Sequence, residues 1–223
     1  FQHYSTVADR YLYFSMLAPA LALAGLFTRC RLRVMTGLCL LALCALGIRS
    51  FCHIQVWRDS RTLYTHTLRI NPNSYMAHNN LGLILAEEGK LNEALAHYSE
   101  ALRIKPDNVE SIINTGTALG AMGKRGEAMA HFFMALRIKP GSLEAHINLG
   151  SALVQMGKFD EAAAHFSEVL RIQPDHIDGN YNLAILLADR ADFDSAIRHY
   201  FEVLRQRPDH VNAHINLGVV LAR

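Results

Sequence analysis

The chain has 223 residues, 51% hydrophobic and 19% charged, a composition too apolar for a disordered polymer and sized for one large domain or a medium one with an appendage. Its net charge of +2 gives no footing to nucleic-acid binding through overall charge. The average conceals a division: residues 1–74 carry 8 Lys and Arg against 2 Asp and Glu, whereas residues 75–223 carry 14 against 18. The four cysteines (Cys30, Cys39, Cys44 and Cys52) all fall in the first part, so the second is expected to hold neither a disulfide framework nor a cysteine-based metal site.

In chain order, the sequence opens on Phe1 with no basic leader and no small-residue cleavage site, which reads as a piece of a longer protein rather than a signal peptide. Residues 11–28 then run without a charge; as a helix they reach roughly 27 Å, close to the hydrocarbon thickness of a bilayer. Arg29, Arg31 and Arg33 follow, and a second uncharged run rich in Leu, Ala and Cys leads to Arg49. The pattern predicts a two-helix transmembrane hairpin over residues 11–53, with spans at 11–28 and 34–50. The arginine turn is expected on the cytoplasmic side. Residues 1–10 then form the end of an extracytoplasmic loop, and everything after the hairpin is extracytoplasmic too. Residues 54–74, with Trp57, Arg58, Asp59 and Arg61, read as an amphipathic junction helix.

From Pro72 onward the chain repeats itself. Prolines recur every 34 residues, at Pro72, Pro106, Pro140, Pro174 and Pro208. The same period carries Asn80, Asn114, Asn148, Asn182 and Asn216, and the small residues Gly82, Gly116, Gly150, Ala184 and Gly218. It also carries Ala94, Ala128, Ala162 and Ala196, with an aromatic four residues after each: Tyr98, Phe132, Phe166 and Tyr200. Each period holds two apolar helical faces separated by a Gly-Lys turn, and proline closes the second. The small residues let the two helices of a pair approach, and the aromatic is expected to fill the gap toward the next pair. A single pair cannot bury its apolar face, so the pairs must stack into a solenoid.

These columns resemble the tetratricopeptide repeat (TPR), and the resemblance covers residues 75–223. It implies an all-α superhelical solenoid with four full repeats (75–108, 109–142, 143–176 and 177–210) and the first helix of another (211–223). The first-helix aromatic common in that family is His78, Ile112, His146, Asn180 or His214 here, and Ala191 replaces the turn glycine of the fourth repeat.

A second resemblance links the halves. Ala8-Asp9-Arg10-Tyr11-Leu12-Tyr13, two apolar runs, Trp57-Arg58-Asp59-Ser60, Leu63-Tyr64, Asn71-Pro72 and the Asn-Leu-Gly repeats follow one another. This order is similar to the C-terminal end of the transmembrane and TPR-containing O-mannosyltransferase-like proteins. The resemblance implies a parent glycosyltransferase using a polyprenyl- or dolichyl-phosphate sugar, with its TPRs outside the cytoplasm. The proline that commonly follows the tyrosine is replaced by Phe14. No catalytic residue is expected within this chain.

The sharpest functional candidates are Asn80, Asn114, Asn148, Asn182 and Asn216. They share one phase of the first helix, the phase that lines the concave groove in the TPR arrangement. A carboxamide both donates and accepts, so such a row suits the backbone of an extended peptide; repeat-to-repeat packing is the competing explanation. His97, His131, His165 and His199 form another 34-residue column. Adjacent repeats lie on the order of 10 Å apart, too far for one ion to bridge two of them, so no metal and no other cofactor is expected. Asp9 and Arg10 are candidates for contact with a lipid-linked phosphate. The expected function is a membrane-anchored scaffold binding an extended peptide or partner protein. The alternatives are a direct share in a lipid-linked-sugar transferase site and a soluble assembly scaffold.

Overall fold

The computed structural model describes residues 40–47 and 59–223. The chain divides into two units, Phe1–Thr62 and Leu63–Arg223. In the first, residues 40–47 are helical with exposed side chains. No helix among the described residues is long and apolar enough to cross a membrane. Apart from residues 40–47, the spans expected at 11–28 and 34–50 lie outside the described residues, as do Asp9 and Arg10.

Helix α1 (Ser60–Ile70) opens on Asp59, whose carboxylate accepts hydrogen bonds from the Thr62 backbone N–H and hydroxyl, each at 2.8 Å. Then come α2 (Tyr75–Glu87) and α3 (Leu91–Ile104), α4 (Val109–Ala121) and α5 (Arg125–Ile138), and α6 (Leu143–Gln155) and α7 (Phe159–Ile172). The last are α8 (Ile177–Asp189), α9 (Phe193–Gln206) and α10 (Val211–Leu221).

The starts of the first helices are written into the sequence at a fixed column. Ser74 accepts from Ala77 N at 3.3 Å, Asn108 from Ser111 N at 2.8 Å and Ser142 from Ala145 N at 3.5 Å. Further along, His176 and His210 cap through Nδ1, accepting from Gly179 N at 3.2 Å and Ala213 N at 3.1 Å. Each cap satisfies one of the free N–H groups that open a helix. Between the paired helices Gly89, Gly123 and Gly157 take φ of +77°, +78° and +73°, the left-handed conformation that glycine adopts without strain. Ala191 makes the same turn at φ 60°, at a cost of roughly 1–2 kcal/mol for an L-residue in that region.

Each first helix packs on its second helix, each second helix on the next first helix, and successive first helices (α2, α4, α6, α8 and α10) touch one another. The second helices make no comparable contact among themselves, so the stack curves with its first helices on the inner wall. The core runs through all the pairs: Ile112, Phe132, Leu149, Leu153 and Phe166 lie in one cluster, and Tyr200, Val203 and Leu217 in the next. On the N-terminal side Tyr64 and Leu68 of α1 pack against Leu81, Leu85 and Tyr98.

The column aromatics share clusters with residues of the next pair, Tyr98 with Ala118 and Phe166 with Leu183 and Leu186. They also fold back on their own repeat. A β-carbon on Gly82 would stand 2.6 Å from the Tyr98 ring, one on Gly116 2.6 Å from Phe132, and one on Gly150 2.5 Å from Phe166. Glycine is there because the ring occupies the space a side chain would need.

Candidate functional site

The inner wall is built from the exposed faces of the first helices. Asn80, Asn114, Asn148, Asn182 and Asn216 are all half-buried there, one position before the buried Leu81, Leu149, Leu183 and Leu217 of their repeats. Three of the five reach across to the preceding repeat. Asn114 Nδ2 donates to Asn79 Oδ1 at 3.0 Å, Asn148 Nδ2 to Thr117 Oγ1 at 3.4 Å, and Asn216 Nδ2 to the Tyr181 hydroxyl at 3.2 Å. Asn80 and Asn182 make no side-chain hydrogen bond to the described residues. The column thus combines repeat-to-repeat bridging with carboxamide groups open to a ligand. Leu83 and Val219, three residues past their asparagines, are exposed.

One helical turn before three of the asparagines stand Glu110, Glu144 and Asp178, none of them in an ion pair with a described residue. Burial, and then the charge of Glu110, push the Glu144 carboxyl up from its ordinary value. Glu110 accepts from Asn79 Nδ2 at 3.1 Å. Asn79 is 3% exposed, and its Oδ1 also accepts the Ser111 hydroxyl at 2.9 Å. It is the polar hub of the joint between the first two repeats. Its column elsewhere reads Ile113, Ile147, Tyr181 and Ile215, and that departure is the signal in the sequence that marks it.

The histidine column also resolves into specific bonds. His97 Nδ1 lies 3.0 Å from His78 Nδ1, and His165 Nδ1 lies 2.9 Å from His146 Nδ1. In the fourth repeat His199 Nδ1 meets Asn180 Oδ1 at 2.8 Å, and in the second His131 Nδ1 meets the Glu127 carbonyl at 3.0 Å. His78 and His146 do more than replace a packing aromatic. Their Nε2 atoms lie 3.1 Å from the Pro72 carbonyl and 2.9 Å from the Pro140 carbonyl. Asn180 Nδ2 donates to the Pro174 carbonyl at 3.0 Å, and His214 Nε2 meets that of Pro208 at 2.8 Å. Burial, followed by the neighbouring His78 or His146, holds His97 and His165 below the usual histidine value; burial and then Arg198 do the same to His199. Among the described residues no three His, Cys, Asp or Glu side chains converge.

At the C-terminal side a cavity of about 150 Å³ is lined by Ile185, Phe193, Tyr200, Asn216 and Val219. Nothing stands within 4 Å of where a Gly218 β-carbon would be, in contrast to the ring-filled glycines of the earlier repeats.

Paired helices, stacked in register with their first helices inside, define a helical-repeat solenoid protein. The repeat type follows from comparison: family profiles described as "Tetratricopeptide repeat" match residues 75–108, 143–176 and 181–223. The chain carries a TPR array. Its fold is shared with YrrB, described as a TPR protein with an unusual peptide-binding site (23% identity, TM-score 0.58, covering 71% of this chain and 82% of that one). It is shared also with TTC0263, a thermophilic TPR protein of Thermus thermophilus (20% identity, TM-score 0.64, covering 80% and 97%). A third match is pilF of Pseudomonas aeruginosa (21% identity, TM-score 0.65, covering 77% and 78%). No curated protein matches the sequence.

Proposed function

We propose that the array is a protein-interaction scaffold that holds an extended polypeptide along its inner wall, with Asn80, Asn114, Asn148, Asn182 and Asn216 hydrogen-bonding the ligand backbone. The carrying observation is that this carboxamide column is half-buried on the mutually facing helices, with Asn80 and Asn182 unengaged by the other described residues. Backbone recognition needs both a donor and an acceptor at each step, which the carboxamide supplies. The wall carries the uncompensated Glu110, Glu144 and Asp178, so acidic segments are disfavoured. The peptide-binding site described for YrrB supports the same ligand class.

The test is to replace Asn80, Asn148 and Asn182 together with alanine and to measure binding to unstructured peptides selected from a displayed library. Three backbone hydrogen bonds at roughly 0.5–1.5 kcal/mol each correspond to a loss of about tenfold or more in affinity, with the thermal midpoint held. Unchanged affinity for the selected peptides refutes the assignment.

The finer reading places this scaffold at the end of a membrane glycosyltransferase of the O-mannosyltransferase-like kind. Residues 11–28 and 34–50 would anchor it, the array would lie on the extracytoplasmic side, and Asp9 and Arg10 would stand near a lipid-linked sugar phosphate. Support comes from the Asp-Arg-Tyr-Leu-Tyr signature, the two uncharged runs and the arginine turn between them. The protein is then expected to stay in the membrane pellet after alkaline carbonate extraction and to leave it only with detergent. Release by carbonate alone would establish a soluble assembly scaffold instead.

A further inference from the structure

The two histidine pairs are hydrogen-bonded ring to ring, and the same arrangement offers two nitrogens to one ion. The carbonyls of Pro72 and Pro140 can only accept, so Nε2 of His78 and of His146 carries the hydrogen and donates. That assignment, made from the hydrogen-bond network, leaves Nδ1 of each ring with a bare lone pair turned toward Nδ1 of His97 or His165. Anchoring one ring nitrogen on a backbone carbonyl so that the other is presented bare is the way metal-binding histidines are commonly oriented. The distances agree. Two nitrogens at roughly 2.0–2.1 Å from one ion are about 2.9 Å apart when they subtend a right angle and about 3.3 Å at the tetrahedral angle. The observed separations of 3.0 and 2.9 Å serve the hydrogen bond and also equal the right-angle value, so an ion requires the rings to turn toward it but not to move apart.

We propose that His78 with His97, and His146 with His165, are two chelating sites for a divalent transition-metal ion that takes neighbouring nitrogen ligands at right angles, Cu²⁺ above all. Cu²⁺ prefers square or tetragonal nitrogen ligation and binds such donors most strongly among the divalent first-row ions. The ligands are imidazole pairs, with solvent completing the coordination. In the metal-free pair His97 Nδ1–H donates to His78 Nδ1. On binding, His97 keeps its proton by carrying it on Nε2 instead, so both rings bind neutral and no net proton is released. The fourth repeat has Asn180 in place of the first histidine, and the second has Ile112, so neither forms a site.

The chain therefore contains its own controls. Copper titration of the full chain by calorimetry, with electron paramagnetic resonance to detect nitrogen ligation, is expected to show two tight equivalents. His78→Asn and His146→Asn are each expected to lose one, and the double variant both. Asparagine at this column preserves the bond to the proline carbonyl, as Asn180 shows, so helix content should be retained. Asn180→His, facing His199, is expected to gain a third equivalent. The proposal is overturned if the wild type shows no tight equivalent, or if the double variant binds as many ions as the wild type. A Cu²⁺ spectrum without nitrogen coupling would overturn it as well.

Discussion

Replacing Phe166 with alanine is expected to lower the unfolding free energy of the array by ~3–5 kcal/mol, the usual cost of removing a buried aromatic ring. Phe166 is 1% exposed and sits in the central cluster with Leu149, Leu153, Leu183 and Leu186. Its ring also fills the space left by Gly150, so its removal opens a void between α6 and α7 that neither rigid helix can close. In a solenoid each repeat is stable through its neighbours, so damage in the third repeat also weakens the joints on both sides. Urea unfolding of Phe166→Ala beside Phe133→Ala measures this. Phe133 is 50% exposed, and its removal should change stability by about half a kcal/mol at most. Equal losses from the two variants would show that the aromatic column does not carry the core.

The second large effect concerns Asn79. Changing it to isoleucine, the residue its column holds at 113, 147 and 215, looks like a correction to consensus. It is expected to destabilise instead, by roughly 1–3 kcal/mol, because a buried hydroxyl loses its partner. Ser111 is fully buried, and its hydroxyl donates to Asn79 Oδ1 at 2.9 Å. Glu110 and Asn114 also lose a partner, but both retain access to solvent. Adding Ser111→Ala should recover most of the loss, since the column of Ser111 is otherwise Ala77, Ala145, Gly179 and Ala213. A double-mutant cycle of thermal unfolding decides the matter. Simple additivity of the two substitutions would mean that the hub contributes no coupling between the first and second repeats.

The contrast between these residues shows what the sequence made legible. Phe166, Gly150 and Ser142 belong to columns, and a column announces a role that recurs: ring, cradle, cap. The helix pairs, their order and the all-α class follow from those columns without coordinates. The ring's close fit against its own repeat's glycine does not, because a residue between two helix pairs has the same periodicity whichever pair it fills. The histidine pairs were hidden for another reason. His78 and His97 are 19 residues apart and on different helices, so no spacing rule within one helix brings them together. The signal was available across columns: histidine stands at both positions in the first and third repeats, and at only one of them in the second and fourth. Asn79 was hidden because it breaks its column, and repeat-based reading attends to what agrees.

The loop ties have a mechanical consequence. At four places a side chain of a first helix grips the carbonyl of the proline six residues earlier: His78, His146, Asn180 and His214. Each grip fixes the angle at which the chain enters that helix. Ile112 has no donor to offer Pro106, and it is at this ungripped entry that Asn79 gathers Ser111, Asn114 and Glu110 from the far side of the joint. The array therefore resists bending by two different springs: a local strap within the loop at four helix entries, and cross-braces between first helices, which at the entry without a strap stand alone. The joint between the first and second repeats owes its stiffness to groups at the inner wall, the same surface a bound chain would touch, so an occupant there would feel, and alter, the compliance of the superhelix most of all at that step.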